Sequence, residues 1–309
     1  MPGDLLSELL APLRLEGVFH SRWLARAPWA IEGERESCAL LHYVAEGAVT
    51  VEAPGCAPVR LEAGDLAVFP HGSVHKLADR PGRAAVPLSA VLPERSPGTT
   101  RSIELGGPGP AAVLLCGGLH YQRDAASPLY RALPPVIVLT APALAAHPLL
   151  GDTLDRLAGA WDPAEPGAEL VALRAFELVF VLALRAAMAG RTGGPVLAAL
   201  RDPAIAAALH AVQTRFAEPW TVAALASEAG LSRSAFAAAF RALVGEAPMR
   251  HLTARRMQEA ARLLTETGLA HERIGQRVGY QSGVGFHLAF RQWFGVTPGD
   301  YRRTRREGP

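Results

Sequence analysis

Cys38, His42, His75, Cys116 and His120 are side chains of the types that metal or thiol chemistry needs. Period-two alternation along a strand puts Cys38, Leu40 and His42 on one face. If that face points inward, Cys38 and His42 can converge with His75, and Cys116 or His120, from the run Cys116-Gly117-Gly118-Leu119-His120, can approach from a later strand. Thiolate with imidazole suits zinc or another borderline divalent metal, and Cys38, His42 and His75 are the candidate ligands. Cys38 with Cys116 is the alternative, a redox-sensitive thiol pair. A plainer reading stands beside both: buried cysteine packs as a small apolar residue, and an inward histidine is often only hydrogen-bonded. His20, His71, His147, His210, His251 and His271 sit in unrelated contexts. No GxSxG, Walker loop, HExxH or strand-following GxGxxG is present, so the chain does not read as an enzyme.

The elements that must position these groups change character along the chain. Residues 1–140 read as strands and turns, with short apolar runs at Cys38 to Val44, Val49 to Glu52, Leu66 to Phe69, Val86 to Val91 and Ala112 to Leu115. After Pro148 the spacing is helical. Leu149 to Gly159 and Glu169 to Ala189 are expected helices, the second apolar nearly all round and so buried against the strands or a partner subunit. Dimerisation is expected through that helix, with Leu173, Phe176 and Phe180 as its contacts. Gly190 to Pro195 is expected to form a hinge, and Asp202-Pro203 places a capping residue and a first-turn proline in order.

The last third repeats itself at an offset of 50 residues: Phe236 with Phe286, Phe240 with Phe290, Val244-Gly245 with Phe294-Gly295, and Pro248 with Pro298. In each copy a short helix (Val222 to Ala229; Glu272 to Val278) ends near a glycine, Gly230 or Gly279. Ser232 or Ser282 then caps a second helix. This is the outline of a helix-turn-helix, present twice. Pro248 to about Glu266 can join the copies as one helix of about 28 Å, enough to hold two recognition helices near the spacing of successive major grooves. Charge follows the same division. Residues 1–200 carry 16 basic and 20 acidic groups, net −4, whereas 201–309 carry 15 and 9, net +6. Arg233, Arg241, Arg250, Arg255, Arg256 and Arg291 are candidates for phosphate contact, although solvated helix arginines are common. The preference for arginine over lysine is also what GC-rich coding produces.

The segment from Asp202 to Arg303 resembles the DNA-binding domain of the AraC/XylS family of transcription regulators. The resemblance is carried by Trp220-Thr221-Val222, Leu225-Ala226, Gly230-Leu231-Ser232, Phe236, Phe240-Arg241, Val244-Gly245, Arg256-Met257 and Ala260. It continues through Ile274-Gly275, Val278-Gly279-Tyr280, Phe286, Phe290, Phe294-Gly295, Thr297-Pro298 and Tyr301-Arg302. It implies sequence-specific binding to double-stranded promoter DNA, usually with a sensory or dimerising N-terminal domain. Aligned on Phe240 and Phe290, the base-facing positions fall on Ser234, Ala237 and Ala238, and on Gly283, Val284, His287 and Leu288. Ser232, Arg233, Arg241, Ser282 and Arg291 flank them.

Gly64 to His75 fits G-x5-P-x-G-x2-H and resembles the second motif of the cupin barrels. His42 and Glu46 stand at the spacing of the second histidine and the glutamate of the first motif, but Leu40 replaces its first histidine. That removes a ligand from the usual metal set and argues against a cupin oxygenase or isomerase. The segment Leu129 to Leu139, with Leu133-Pro134-Pro135, resembles the end of the sensor domain in cupin-type members of the regulator family.

The length of 309 residues, 50% apolar and 19% charged, suits two globular domains and excludes a chain disordered throughout. The expected fold is α+β. A cupin-like β-barrel with a helical extension occupies 1–190, a linker 191–200, and an all-α double helix-turn-helix domain 201–309. Three cysteines without a CxxC, and no signal peptide, point to the cytoplasm. Arg174, Glu177 and Arg185 interrupt the most apolar stretch, Leu170 to Met188, so no membrane partner is expected. The chain reads as a homodimeric transcription regulator responding to a small molecule, metal or oxidant, with RNA polymerase as a further partner. A metal-dependent cupin enzyme with a basic helical accessory domain is the alternative, and a non-specific nucleoid-associated protein a third reading.

Overall fold

Short apolar runs cut by glycine and proline fold into the strands β1 (Leu15–Arg26), β2 (Ala30–Gly33), β3 (Cys38–Glu46), β4 (Ala48–Glu52), β5 (Val59–Glu62), β6 (Leu66–Phe69), β7 (His75–Ala78), β8 (Val86–Pro87), β9 (Thr100–Gly106), β10 (Ala111–Tyr121) and β11 (Ile137–Leu139). The helices are α1 (Leu5–Leu10), α2 (Leu88–Val91), α3 (Pro128–Arg131), α4 (Ala141–Ala145), α5 (Pro148–Ala158), α6 (Ala168–Ala189), α7 (Gly194–Arg201), α8 (Pro203–Thr214), α9 (Val222–Glu228), α10 (Arg233–Val244), α11 (Pro248–Glu266), α12 (His271–Arg277), α13 (Gly283–Phe294) and α14 (Pro298–Arg306). This computed structural model describes residues 4–10, 15–93, 100–121, 128–159, 165–189 and 194–306. The chain divides into two units: Arg14–Gln122 with Leu133–Gly194, and Met1–Leu13, Arg123–Ala132 and Pro195–Pro309.

The first unit is a cupin-like pair of sheets. The larger runs β11-β6-β3-β10-β1-β9 and the smaller β5-β4-β7-β2-β8. Pairings are antiparallel except β1 with β9 and β2 with β8. Alternate residues of both sheets share one core, among them Trp23, Ile31, Leu40, Val51, Leu77 and Leu114. The other face of the larger sheet carries α5 and α6. Covered on both sides, β3 is buried without a break from Cys38 to Val44. Its outward Tyr43 hydroxyl donates to Asp155 Oδ1 of α5 at 2.5 Å.

Two consecutive glycines let β10 be packed this closely. A Cβ on Gly117 would stand 2.1 Å from the Phe176 ring of α6, and one on Gly118 would stand 2.2 Å from Phe19. Phe176 and Phe180 are therefore core residues of their own unit. The expectation that they form a dimer contact is corrected: the exposed large apolar residues of α6 are Leu170, Val171 and Leu178. The expected strand at Val86 to Val91 is likewise shorter, because Pro87 lacks the N–H that would continue the ladder and residues 88–91 turn into α2.

The second unit is helical. Asp202 caps α8 as expected, accepting from the N–H groups of Ala204 and Ile205. Residues 194–200, expected as linker, belong to α7, which buries Val196, Leu197, Ala199 and Leu200, a run of apolar groups that no solvated linker would carry. Residues 190–193 of the expected hinge lie outside the described residues. The short helices α1 and α3 pack on α8 and α11 of this unit, although both fall within the first 190 residues.

Gly117 and Gly151 make a paired test. Gly117→Ala forces the Phe176 ring to move and is expected to lower stability by about 1–3 kcal/mol, the usual cost of overpacking. Gly151, inside α5 with nothing within 4 Å of an added Cβ, is expected to gain about 0.5–1 kcal/mol on change to Ala. Urea or thermal melts of both variants check the opposite signs.

Candidate nucleic-acid interface and thiol–imidazole cluster

Each copy of the repeat builds a helix-turn-helix. In the first, Thr221 caps α9, Gly230 turns the chain at φ +64°, and Ser232 Oγ accepts from Ala235 N to start α10. In the second, Gly279 turns at φ +89° and Ser282 Oγ accepts from Gly285 N at 3.1 Å to start α13. These backbone angles are the ones at which glycine carries no steric penalty. Phe236 with Phe240, and Phe286 with Phe290, lie one helical turn apart, fully buried, with ring centroids 5.5 and 5.7 Å apart. Gly245 and Gly295 close the two helices in left-handed caps. Between the copies runs α11, 19 residues long, as its pattern predicted.

Burying the phenylalanines turns the opposite face of each helix outward. Ser234, Ala238, Arg233 and Arg241 of α10 are exposed and Ala237 is half-buried; on α13, His287 and Arg291 are exposed and Gly283 is half-buried. Val284 and Leu288 are 72% and 62% exposed, large apolar side chains presented to solvent one turn apart. The hydroxyls of Ser232 and Ser282 are occupied as helix caps. The candidate phosphate contacts separate into two groups. Arg233, Arg241, Arg250 and Arg291 are exposed. Arg255 and Arg256 are not phosphate-facing: Arg255 lies 4.3 Å over the Phe216 ring beside Glu259, and Arg256 donates to the Phe216 and Glu218 carbonyls at 2.7 Å each. Arg302, to which the sequence assigned no contact, clamps the Leu264 and Leu269 carbonyls in the same way. A clamping arginine and a phosphate-binding one have the same residue type, so spacing gave no signal.

In the first unit β3 pairs with β10 so that His42 stands opposite Cys116 and Cys38 opposite His120. Three of the expected chemical groups meet in a line. His75 Nδ1 lies 2.7 Å from the Ser73 carbonyl, His75 Nε2 lies 2.8 Å from His42 Nε2, and His42 Nδ1 lies 3.0 Å from Cys116 Sγ. A carbonyl only accepts, so His75 donates from Nδ1. With both imidazoles neutral, His42 then donates from Nε2 to His75, and the Cys116 thiol donates to His42. Burial disfavours every charged form here. The pKa of His75 is lowered to about 4 by desolvation, that of His42 well below its ordinary value by desolvation and by His75, and burial pushes the Cys116 thiol up. The Phe69 ring stacks on His75 at 3.8 Å between centroids.

Cys38 is not part of this line. It is a core residue four positions along β3 from His42, about 13 Å from the Cys116 position at strand rise and beyond the roughly 7 Å a disulfide spans. The expected Cys38–Cys116 pair is therefore corrected, as is the Cys38–His42–His75 metal set. The two ring nitrogens of His42 point to different partners, and Glu46 is exposed at the end of β3. Among the described residues no three His, Cys, Asp or Glu side chains converge to hold a metal ion. The donor set does not fit a cupin metal centre. The line instead borders a mostly apolar cleft walled by Phe19, Trp23, Ile31, Leu40 and Leu77, with Glu34 and Glu36 among its lining.

Comparison with known proteins fits both halves. A family model described as cupin matches residues 4–189, and one described as a helix-turn-helix domain matches 225–304. A protein of Streptomyces lividans described as an AraC-like transcription regulator is 31% identical over 97% of this chain and 98% of its own length. The chain belongs to the AraC family of transcription regulators. Another relative is the RCS-specific HTH-type transcriptional activator RclR of Escherichia coli, 27% identical over 98% of this chain and 99% of its own. The crystal structure of the DNA-binding domain of AdpA, in complex with a target DNA, is 32% identical over 34% of this chain and 95% of that one, with TM-score 0.33.

The buried histidines of the cupin-like unit of this AraC-family chain make its stability depend on pH. His20 and His75 have folded pKa values of about 4, both by desolvation, and His42 is also lowered. The unfolded chain, with histidines near 6.5, binds protons first as the pH falls. Stability is therefore full above about 6.5 and declines towards 4, by up to about 1.4 kcal/mol per histidine per pH unit. Urea melts followed by the fluorescence of buried Trp23 and Trp29 are expected to show a lower midpoint at pH 5 than at pH 7; equal midpoints would contradict this assignment.

Proposed function

We propose that this chain is a cytoplasmic, homodimeric regulator that binds promoter DNA with α10 and α13 and takes its signal in the cupin-like unit. In this reading residues 1–190 sense and dimerise, 201–309 read DNA, and RNA polymerase is the downstream partner. The regulator reading is supported by relatives named as regulators; among the described residues no set of metal-ligating side chains converges, which gives the competing metal-dependent activity no support. Among the described residues no single helix is long and apolar enough to cross a membrane. The observation that carries the reading is that two recognition helices, each anchored by a buried phenylalanine pair, expose corresponding faces at the ends of a 19-residue helix.

What those faces carry sets the kind of specificity. Ser234, Ala237 and Ala238 on α10, and Gly283, Val284, His287 and Leu288 on α13, include no side chain able to make a bidentate base contact. Val284, Leu288 and the alanines meet thymine methyls, and His287 makes one hydrogen bond. Arg233, Arg241, Arg250 and Arg291 neutralise phosphates. The result is modest specificity for T-rich steps, with affinity dominated by charge. The homodimer is supported by Leu170, Val171 and Leu178, the large apolar residues α6 leaves exposed.

Binding of the full chain to duplexes recovered by site selection tests the DNA reading. Arg241→Ala and Arg291→Ala are expected to weaken all sequences about equally and to reduce the salt slope by about one each. Leu288→Ala and His287→Ala are expected to shift preference at one or two base pairs, and replacing thymine by uracil to weaken the wild type but not the Leu288 variant at that step. A long selected motif rich in guanine contacts would defeat the reading. For the dimer, sedimentation of Val171→Glu with Leu178→Glu is expected to give folded monomer, whereas Phe180→Glu, a core change, is expected to unfold the unit; a dimeric double variant would exclude this face.

A further inference from the structure

The line Cys116–His42–His75 has the parts of an activated nucleophile. A thiol lies in hydrogen-bond contact with an imidazole, and that imidazole is oriented by a third group. Its heavy atoms serve two proton arrangements equally. In one the thiol is protonated and both rings are neutral. In the other the thiol proton sits on His42 Nδ1, the former Nε2 proton of His42 sits on His75 Nε2, and the resulting imidazolium still donates from Nδ1 to the Ser73 carbonyl. Passing between them needs two short proton shifts and no side-chain motion. Burial keeps the first arrangement as the resting state, so the thiol is quiet until a reactant occupies the cleft.

We propose that Cys116 is a covalent capture site for apolar electrophiles bearing an activated carbon–carbon double bond, such as enals and quinones. The cleft bordered by Cys116, His42 and His75 is walled mainly by aromatic and aliphatic side chains, which concentrate apolar molecules beside the sulfur. The sulfur lone pair attacks the β carbon of the acceptor and the S–C bond forms. The π pair moves onto the carbonyl oxygen as an enolate, while the thiol proton passes to His42 Nδ1 and the His42 Nε2 proton to His75. The protons return along the same line, and the enolate takes one at its α carbon. The product is a thioether that holds every atom of both reactants, and no oxidant or reductant is consumed. Simple oxidation fits less well, because Cys38, four residues along the paired strand, lies too far away to resolve a sulfenic acid. Only the consequence for transcription rests on the sensor reading above; capture itself does not.

The test uses the full-length protein, cinnamaldehyde as the apolar acceptor, iodoacetamide as a polar reagent, and peptide mass mapping after borohydride reduction. Cys56, which is more exposed than Cys116, is the internal reference. Cinnamaldehyde is expected to label Cys116 before Cys56, and iodoacetamide to label Cys56 first. His42→Gln is expected to slow the Cys116 reaction by about 100-fold, the usual contribution of a general base, leaving Cys56 unchanged. If Cys56 leads with both reagents, or a folded His42→Gln protein labels Cys116 at the wild-type rate, the capture site is wrong; the first comparison needs no variant to fold. DNA binding by the labelled protein is read separately. An adduct that leaves DNA binding unaltered supports the site and contradicts the sensor reading, whereas a cinnamaldehyde response without labelling of Cys116 overturns the site and leaves the sensor reading standing.

Discussion

The rotation of each recognition helix about its own axis is set by two phenylalanines one turn apart. Phe236 with Phe240, and Phe286 with Phe290, are among the most deeply buried large side chains. Withdrawing either ring would cost several kcal/mol, on the order of 3–5 for full loss. With that face fixed, the residues turned to solvent follow from helical geometry alone. The glycine turns and serine caps then fix where each helix begins. Gly275 completes the seat in the second copy, since a Cβ there would stand 2.9 Å from Phe286 Cβ.

A comparable constraint acts in the barrel unit. Because β3 and β10 are covered on both faces, a slip of one residue would turn every side chain of the pair the wrong way. The register that results places His42 opposite Cys116, and the glycines following Cys116 admit Phe176 on one face and Phe19 on the other. The thiol–imidazole line is thus held where both sheet faces are closely packed. Its buried histidines tax stability in acid, a cost that plain apolar side chains in the same places would not carry.

Much of the second unit was legible in advance because a repeat at fixed offset aligns caps, glycines and buried aromatics at once. The helices α10 and α13 begin after the serines expected to cap them, and α11 spans the residues expected of it. The barrel was harder. Leu15 to Arg26 mixes glycine, histidine, serine and arginine among its apolar residues, yet forms the 12-residue β1, which gives Phe19, Trp23 and Ala25 to the core. Parity showed that Cys38 and His42 share a face, but parity carries no register, and register decides that Cys116, not Cys38, meets His42. The helical pattern of α6 shows burial on several sides without showing whether sheet or partner supplies the cover, so Phe176 and Phe180 read as dimer contacts although the sheet covers them. Arg255 and Arg256 were misplaced for a similar reason: their carbonyl and ring partners come from the turn after α8, distant in sequence.

In the proposed mode of binding, one chain lays two phenylalanine-anchored helices into successive major grooves. Hydroxyl-radical and methylation footprinting of the full-length protein on its best selected site measures this directly. Two protected patches per protomer are expected on one face of the duplex, about 10 base pairs apart, with the patch nearer α13 lost in Val284→Asp/Leu288→Asp protein and the other retained. A single patch per protomer, or continuous protection without a helical repeat, would contradict this mode of binding.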